Sequence, residues 1–273
     1  MKKITYLMML SVALLLVGCF GRRGMGDDGE AIDKSQKLPG DNMIYGLACD
    51  GCTDSVIVFL PNEGGDPVTY QIIGAMTKHQ VFGHPEVGDW VGLMLNPKDS
   101  TEATLVIDLD QLKGTWTYEV MPTIRERATK SAQEISAELS DSMRALLFVP
   151  REYGFTLKRH HAASSVGNVF KGNSLTHEDL VEYPPVPRYT GWHTWNGKLI
   201  LTRDTVDVIS KKRLSEKQIQ RDTMSFVYMK EDSLTLRANG KTIGFHRQEN
   251  AQKANKKAQD AVQKQAALDT IKK

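Results

Sequence analysis

Residues Gly191 to Arg203 read GWHTWNGKLILTR. Two strand-forming runs, Gly191 to Trp195 and Lys198 to Arg203, are separated by Asn196-Gly197, a dipeptide that tolerates positive φ and so makes the tight turn of an antiparallel hairpin. The pattern recurs downstream at Met224 to Met229, Ser233 to Arg237 and Thr242 to His246, with Asn239-Gly240 as a second such turn. Upstream, Thr115-Trp116-Thr117-Tyr118-Glu119-Val120 alternates large apolar with polar residues, so one face of that strand is buried. The β set resumes at Tyr153 to His160 and Ser164 to Phe170.

An earlier set of short runs, Ile44 to Ala48, Ser55 to Leu60, Val68 to Ile73, His79 to Phe82, Asp89 to Leu95 and Thr104 to Asp108, suffices for one more small barrel. Gly64-Gly65-Asp66-Pro67, Gly83-His84-Pro85 and Asn96-Pro97 punctuate it. The expected fold class is therefore all-β, made of small antiparallel barrels over 42–112 and 113–247. Ile124, Ala128, Ala132, Ile135, Leu139, Met143 and Leu146 recur at spacings of three and four, which predicts a helical insertion over 123–147, as one helix or a pair, covering a barrel mouth or flank. The tail 248–273 is rich in Ala, Gln and Lys, with too few large apolar residues for a stable face, and reads as an exposed, charged helix.

The N-terminus supplies an address. Lys2 and Lys3 precede an apolar run from Ile4 to Val17 that is too short to span a bilayer comfortably, the layout of a secretory signal over residues 1–18. It ends in Leu16-Val17-Gly18-Cys19, which resembles the bacterial lipobox, in which the cysteine takes a diacylglycerol and becomes the mature N-terminus. Several acyl chains on Cys19 would hold the protein on a membrane, at about 0.8 kcal/mol per buried methylene. Phe20 follows where many diderm lipoproteins kept at the inner membrane carry aspartate, so the expected location is the outer membrane, facing the periplasm. Residues 19–41 are rich in Gly, Asp, Lys and Ser and read as a flexible tether.

The net charge of +2 belongs to the whole chain, and removing residues 1–18 takes away two lysines and no acid, which brings it to zero. The basic surplus sits in the tether and the tail, leaving residues 27–246 at −6. A net-acidic core without arginine–aromatic interleaving gives no footprint for nucleic acid.

Cys49-Asp50-Gly51-Cys52 is the sharpest motif. In an oxidising compartment the pair is expected to form a small-ring disulfide; the alternatives are that it holds a soft metal such as Cu(I) or acts in redox exchange. Redox catalysis wants its first cysteine at a helix N-terminus, whereas a strand follows here. The seven histidines show no zinc-ligand spacing, and His160-His161 would point to opposite faces of a strand. Ala163-Ser164-Ser165-Val166-Gly167 lacks the first glycine of a nucleophile elbow, and Asp108 with Asp110 reads as a strand running into a turn. No reaction is named by any of these, no cofactor is implied, and a non-enzymatic protein is expected. An eight-stranded barrel can be packed solid or left open for one small ligand. Trp116, Tyr118, Trp192, Trp195, Phe226 and Tyr228 are the candidates to line such a cavity, which would prefer an apolar or amphipathic molecule.

Tyr45-Gly46-Leu47-Ala48-Cys49-Asp50-Gly51-Cys52 is similar to the tyrosine, glycine and C-x-x-C opening of outer-membrane copper-resistance and adhesion-sensing lipoproteins of the NlpE type. Tyr189 to Trp192, Asn196 to Thr202 and Asp232 to Leu236 resemble the late strands of the same small barrels, and Leu112-Lys113-Gly114-Thr115-Trp116 resembles the G-x-W start of lipocalins. The likeness spans some 70 to 80 residues. It implies a periplasm-facing lipocalin-like barrel lipoprotein with Cys49 and Cys52 at that family's cysteine pair. The expected function is that of a lipid-anchored envelope module that binds a small apolar ligand or an envelope protein. The alternative is copper handling or redox and stress sensing through the C-x-x-C pair.

Overall fold

The computed structural model describes residues 37–125, 131–167, 180–204, 214–215, 218–261 and 263. All belong to one compact unit, residues 33–273. The signal segment, Cys19, the tether up to residue 36, Ala128, residues 168–170 and the end of the tail lie outside the described residues.

The first barrel runs β1 (Ile44–Ala48), β2 (Val56–Pro61), β3 (Val68–Gln71), α1 (Ile73–Thr77), β4 (Val81–Phe82), β5 (Trp90–Asn96) and β6 (Asp99–Asp108). Its ring order is β1-β2-β3-β6-β5 and back to β1, antiparallel throughout except where Gln71 meets Glu102 in a parallel β3–β6 pair. This is the five-stranded Greek-key order of an OB-fold, with α1 between the third and fourth barrel strands. Ile57, Phe59, Val91, Leu93, Ala103 and Val106 fill it. Strand was expected to continue into Ile73 and to restart at His79. Instead, Ile73 opens a single helical turn whose Ala75 is buried in the core. His79, at φ 54°, turns the chain so that only Val81 and Phe82 remain extended, parallel to β6.

Asp108 ends β6 and caps α2 (Leu109–Leu112), its carboxylate accepting from Gln111 N at 2.8 Å. The chain then enters the second barrel. In order come β7 (Gly114–Val120), β8 (Thr123–Ile124), α3 (Ala132–Glu138), α4 (Asp141–Leu147), β9 (Arg151–Leu157), β10 (Ala163–Val166), β11 (Val181–Glu182), β12 (Tyr189–Trp195) and β13 (Lys198–Arg203). β14 (Arg221–Lys230), β15 (Ser233–Ala238) and β16 (Lys241–Gln248) complete it. β8 and β11 pair as a separate ribbon. The other eight strands form one sheet in the order β10-β9-β7-β16-β15-β14-β13-β12, which curls into a nearly closed barrel with β10 and β12 at its two edges: the up-and-down meander that lipocalins also use. The β10–β12 seam is the loose one, bridged at Ala162–Gly191 and by Trp192 N donating to His161 O at 2.9 Å.

Local chemistry accounts for the details. Asn196 (φ 46°) with Gly197 (φ 74°), and Asn239 (φ 50°) with Gly240 (φ 76°), adopt paired left-handed conformations, so both predicted hairpin turns form. The helical insertion splits in two because Ser131 and Glu134 make a capping box and Ser140 caps again, its hydroxyl accepting from Met143 N. Ile124 leaves the stripe to pair in β8, and Met143 is exposed. The tail is not a free helix over its described part. After α5 (Ala251–Ala254), Asn255 is buried and takes both backbone groups of Glu152, accepting from N at 2.9 Å and donating to O at 2.7 Å, and Ala258 is buried beside it. His160 and His161 do not sit on a strand, since both occupy a turn at φ 53° and 54°.

The barrels are fastened at one end of the second. Tyr45 Oη donates to Asp41 Oδ2 at 2.6 Å and reaches Thr194 Oγ1 at 3.0 Å; Asn196 N donates to Asp41 Oδ1 at 2.9 Å; Gly83 N donates to Met229 O at 3.0 Å. Arg247 lies over the Trp116 ring at 4.2 Å and donates to the carbonyls of Gln111 and Lys113, fixing the linker helix to the barrel mouth.

Candidate functional site

The interior of the second barrel was the expected cavity. Trp116, Phe155, Leu157, Leu199, Leu234 and Leu236 are each at most 2% exposed. Phe245 sits 5.2 Å from Phe155 and 5.3 Å from Tyr118, while Phe155 reaches Tyr189 at 6.3 Å, so aromatic rings from four strands touch one another. Asp222 receives Tyr189 Oη at 2.9 Å and a double bond from Arg203 at 2.9 and 3.0 Å.

The six cavity candidates therefore part company. Trp116 and Tyr118 line the filled interior, the indole of Trp116 donating to Leu112 O at 2.7 Å. Trp192 is buried on the face of Leu199 and Leu201 and donates to Lys158 O at 2.9 Å. Trp195, three residues on, lies on the opposite face. Its indole donates to Pro39 O at 3.2 Å, and Asn196 Nδ2 donates to Gly40 O at 3.0 Å. Residues 37–41, expected to be tether, are thus docked against this hairpin. Phe226 is buried, but its nearest ring is Phe82 of the first barrel, at 5.2 Å. Tyr228 is turned outward, at 49% exposed, and the cause is a register shift between Phe226 and Tyr228 that inserts Val227 and reverses the alternation, bringing Met229 inside.

The open space lies elsewhere. A cleft of about 340 Å³ runs along α1 and β4 of the first barrel and is closed on its far side by the overhang of β14. Its floor is the first barrel's own core, Ile57, Ile72 and Val106. The cleft exists because β3 and β6 meet at a single residue pair, after which α1 and the two-residue β4 fill the widening gap only in part. His79, where the helix ends, and His84, before Pro85, stand at the two ends of β4, and Met76, Val227 and Tyr228 leave 37%, 37% and 49% of their surface exposed around the rim. Gly83 is required at its end of β4: with φ at 94°, an added Cβ would fall 2.5 Å from Asp108 Cβ and 2.7 Å from Gln111 Oε1.

Cys52 lines this cleft; Cys49 does not. The expected disulfide is absent here, and both cysteines are free thiols. The reason is where the Cys52 sulfur is held: it accepts from Val58 N at 3.3 Å and donates to Cys49 O at 3.1 Å, turned into the backbone of its own loop. Among the described residues no three His, Cys, Asp or Glu side chains are grouped to hold a metal ion.

The other chemistry-bearing residues have structural work. Ser165 donates to Pro187 O and accepts from Tyr189 N at 2.8 Å, pinning β10 to the segment before β12. Thr117 Oγ1 and Glu152 Oε2 both approach Nε2 of His246, at 3.3 and 3.4 Å, whereas a proton relay needs hydroxyl and carboxylate on opposite ring nitrogens. Asp108 is buried, which pushes its carboxyl up to about 7, with Asp89 and Asp110 adding to the shift and the Gln111 N–H opposing it. His161 and His193 stack at 4.6 Å at the loose seam. Burial first, then His161 and Arg221, push His193 down to about 4. Sequence reasoning missed the cleft because its walls come from segments some 170 residues apart; the one local signal was the two histidines bracketing Val81 and Phe82.

No family profile matches this chain, and no curated protein does. Among solved structures, a lipocalin-like protein from Bacteroides thetaiotaomicron is similar at 20% identity and a TM-score of 0.24, over 50% of this chain and 95% of that one. The meander of the second barrel is established by its own strand pairing.

Proposed function

We propose that this protein is a non-enzymatic binding module of the cell envelope, lipid-anchored through Cys19, which takes up a small apolar or amphipathic molecule in the cleft between β4 and β14. The cleft carries the proposal: its volume lies within the range of about 300–1,000 Å³ typical of ligand sites, and its floor and rim are apolar. A filled second barrel speaks against carriage in the manner of an open lipocalin cup. Copper or redox handling through Cys49 and Cys52 has weaker support, because the Cys52 sulfur is committed to backbone partners.

A titration of the full chain with a hydrophobic anilinonaphthalene dye tests the site. Saturable emission that falls at least about tenfold in apparent affinity in Val227→Lys, and holds in Trp195→Phe, is the expected result. Equal binding in Val227→Lys overturns the cleft. The anchor is tested separately by incorporation of labelled palmitate, which should vanish in Cys19→Ala.

A further inference from the structure

Taking the cleft as the binding site, we infer that its ligand is a single-chain amphipathic anion, an alkyl carboxylate of medium length lying along β4. The inference rests on that reading of the site and adds the chemistry of both ends of the ligand. The floor residues Ile57, Ile72 and Val106 are aliphatic and continuous with a dry core, so the buried part of a ligand is hydrocarbon. A cleft of about 340 Å³ holds roughly ten methylene-sized units, if each takes about the 30 Å³ of a water molecule. Two such acyl chains exceed that.

The polar end is set by a surplus of donors. Lys230, the imidazoles of His79 and His84 and the Thr53 hydroxyl line the cleft, against one obligate acceptor, Asp54. Lys230 reaches Glu231 only at 4.0 Å, with both side chains more than half exposed, and an ion pair that long and wet does not neutralise it. A head group that only accepts hydrogen bonds satisfies this rim; an alcohol satisfies it in part, and a quaternary ammonium meets like charge.

Cys52 reports occupancy, because it lines the cleft and Cys49 does not. In the full chain carrying Cys19→Ser these are the remaining thiols, since the sequence has three cysteines. Alkylation by iodoacetamide, followed by peptide mass spectrometry, is to be measured against octanoate, octanol and octyltrimethylammonium in detergent-free buffer. Octanoate should slow modification of Cys52 saturably and leave Cys49 unchanged. Octanol should need about tenfold more and the ammonium more still, and Lys230→Gln should weaken octanoate about fivefold while leaving octanol where it was. If octanol matches octanoate and Lys230→Gln changes neither, the anionic head is wrong and the cleft stands. If no amphiphile protects Cys52 while the dye still binds and responds to Val227→Lys, the ligand class is wrong and the site stands. If the dye does not bind either, both readings fall.

Discussion

The smaller barrel of this protein has a cleft in its wall, and the larger packs aromatic rings and leucines into its interior. Five strands close the first barrel through one parallel residue pair, Gln71 with Glu102, and the mismatch is made up by a helical turn and a two-residue strand. Eight strands curl the second into a nearly closed barrel, open only at the β10–β12 seam, and its interior is taken up by Trp116, Phe155, Phe245 and their surrounding leucines. Strand number sets the width of a barrel, but side-chain volume decides whether that width is a cavity. The cleft of the first barrel arises where strand pairing fails.

Replacing Phe155 by Ala is the strongest way to break that contrast. A fully buried phenylalanine in a filled core costs about 3–5 kcal/mol when truncated, from lost burial and the void left behind. Chemical denaturation of the variant should show that loss with little change in slope. A loss under about 1 kcal/mol would mean that the interior already holds space, and the contrast would be gone.

Protons act on the two barrels with opposite sign. Asp108, in the first, has its folded value raised to about 7, so between about 4 and 7 the unfolded chain is ionised while the fold still holds the proton, and stability falls as pH rises through that window. His193, in the second, is lowered to about 4. Between about 6.5 and 4 the unfolded chain takes a proton that the fold refuses, so stability falls as pH drops. The two slopes oppose each other, and the wild type should be nearly flat from pH 4.5 to 6.5. In Asp108→Asn, which can still accept from Gln111 N, the flatness should give way to acid sensitivity of about 2 kcal/mol, discounted for the part of His193 that stays solvated. His193→Gln should slope the other way by up to about 2.7 kcal/mol over these two pH units, at 1.36 kcal/mol per unit within the window of the Asp108 shift. Denaturation midpoints of all three proteins across that range decide it. Parallel profiles would show that neither group carries the pH dependence.

A milder test concerns the described tail, which belongs to the second barrel's outer wall. Asn255→Ala removes an acceptor and a donor from Glu152 and should cost about 1–2 kcal/mol, with faster hydrogen exchange at the Glu152 amide. Unchanged exchange there would return the tail to the status of a loose appendage.

The two barrels were not equally legible. In the second, strands pair with their neighbours in chain order at every seam but β10–β12 and the closing β16–β7 pair, so Asn196-Gly197, Asn239-Gly240 and the alternation of Trp116 with Tyr118 carry nearly all the information the meander needs, and the all-β reading follows from local signals. The first is closed by a non-local parallel pair, which leaves no mark on any short window; Ile73 and His79 have strand-like neighbours and yet form a helix and its left-handed stop. The buried tail was missed for a related reason. One asparagine with two well-aimed bonds holds it, and composition over 248–273 cannot register a single partner. The cleft needed both barrels at once, since Met76 and Val227 face it from opposite ends of the chain.

The smallest expected effect probes one inserted residue. Strict alternation along β14 places Phe226 and Tyr228 inside and Met229 outside, whereas the register shift at Val227 puts Met229 inside, 3% exposed, and Tyr228 at the cleft rim. Tyr228→Ser should therefore change stability by under about 0.5 kcal/mol, because a solvated ring on a strand overhang makes few contacts. Met229→Ser should cost at least about 2 kcal/mol, because it opens a void against Gly83 and leaves a hydroxyl buried in its place. The two variants also separate stability from binding: the first should weaken dye uptake without unfolding the barrel, since Tyr228 lines the cleft. The reverse order of stabilities would restore plain alternation, bring Tyr228 back into the second barrel, and move the apolar rim of the cleft away from β14.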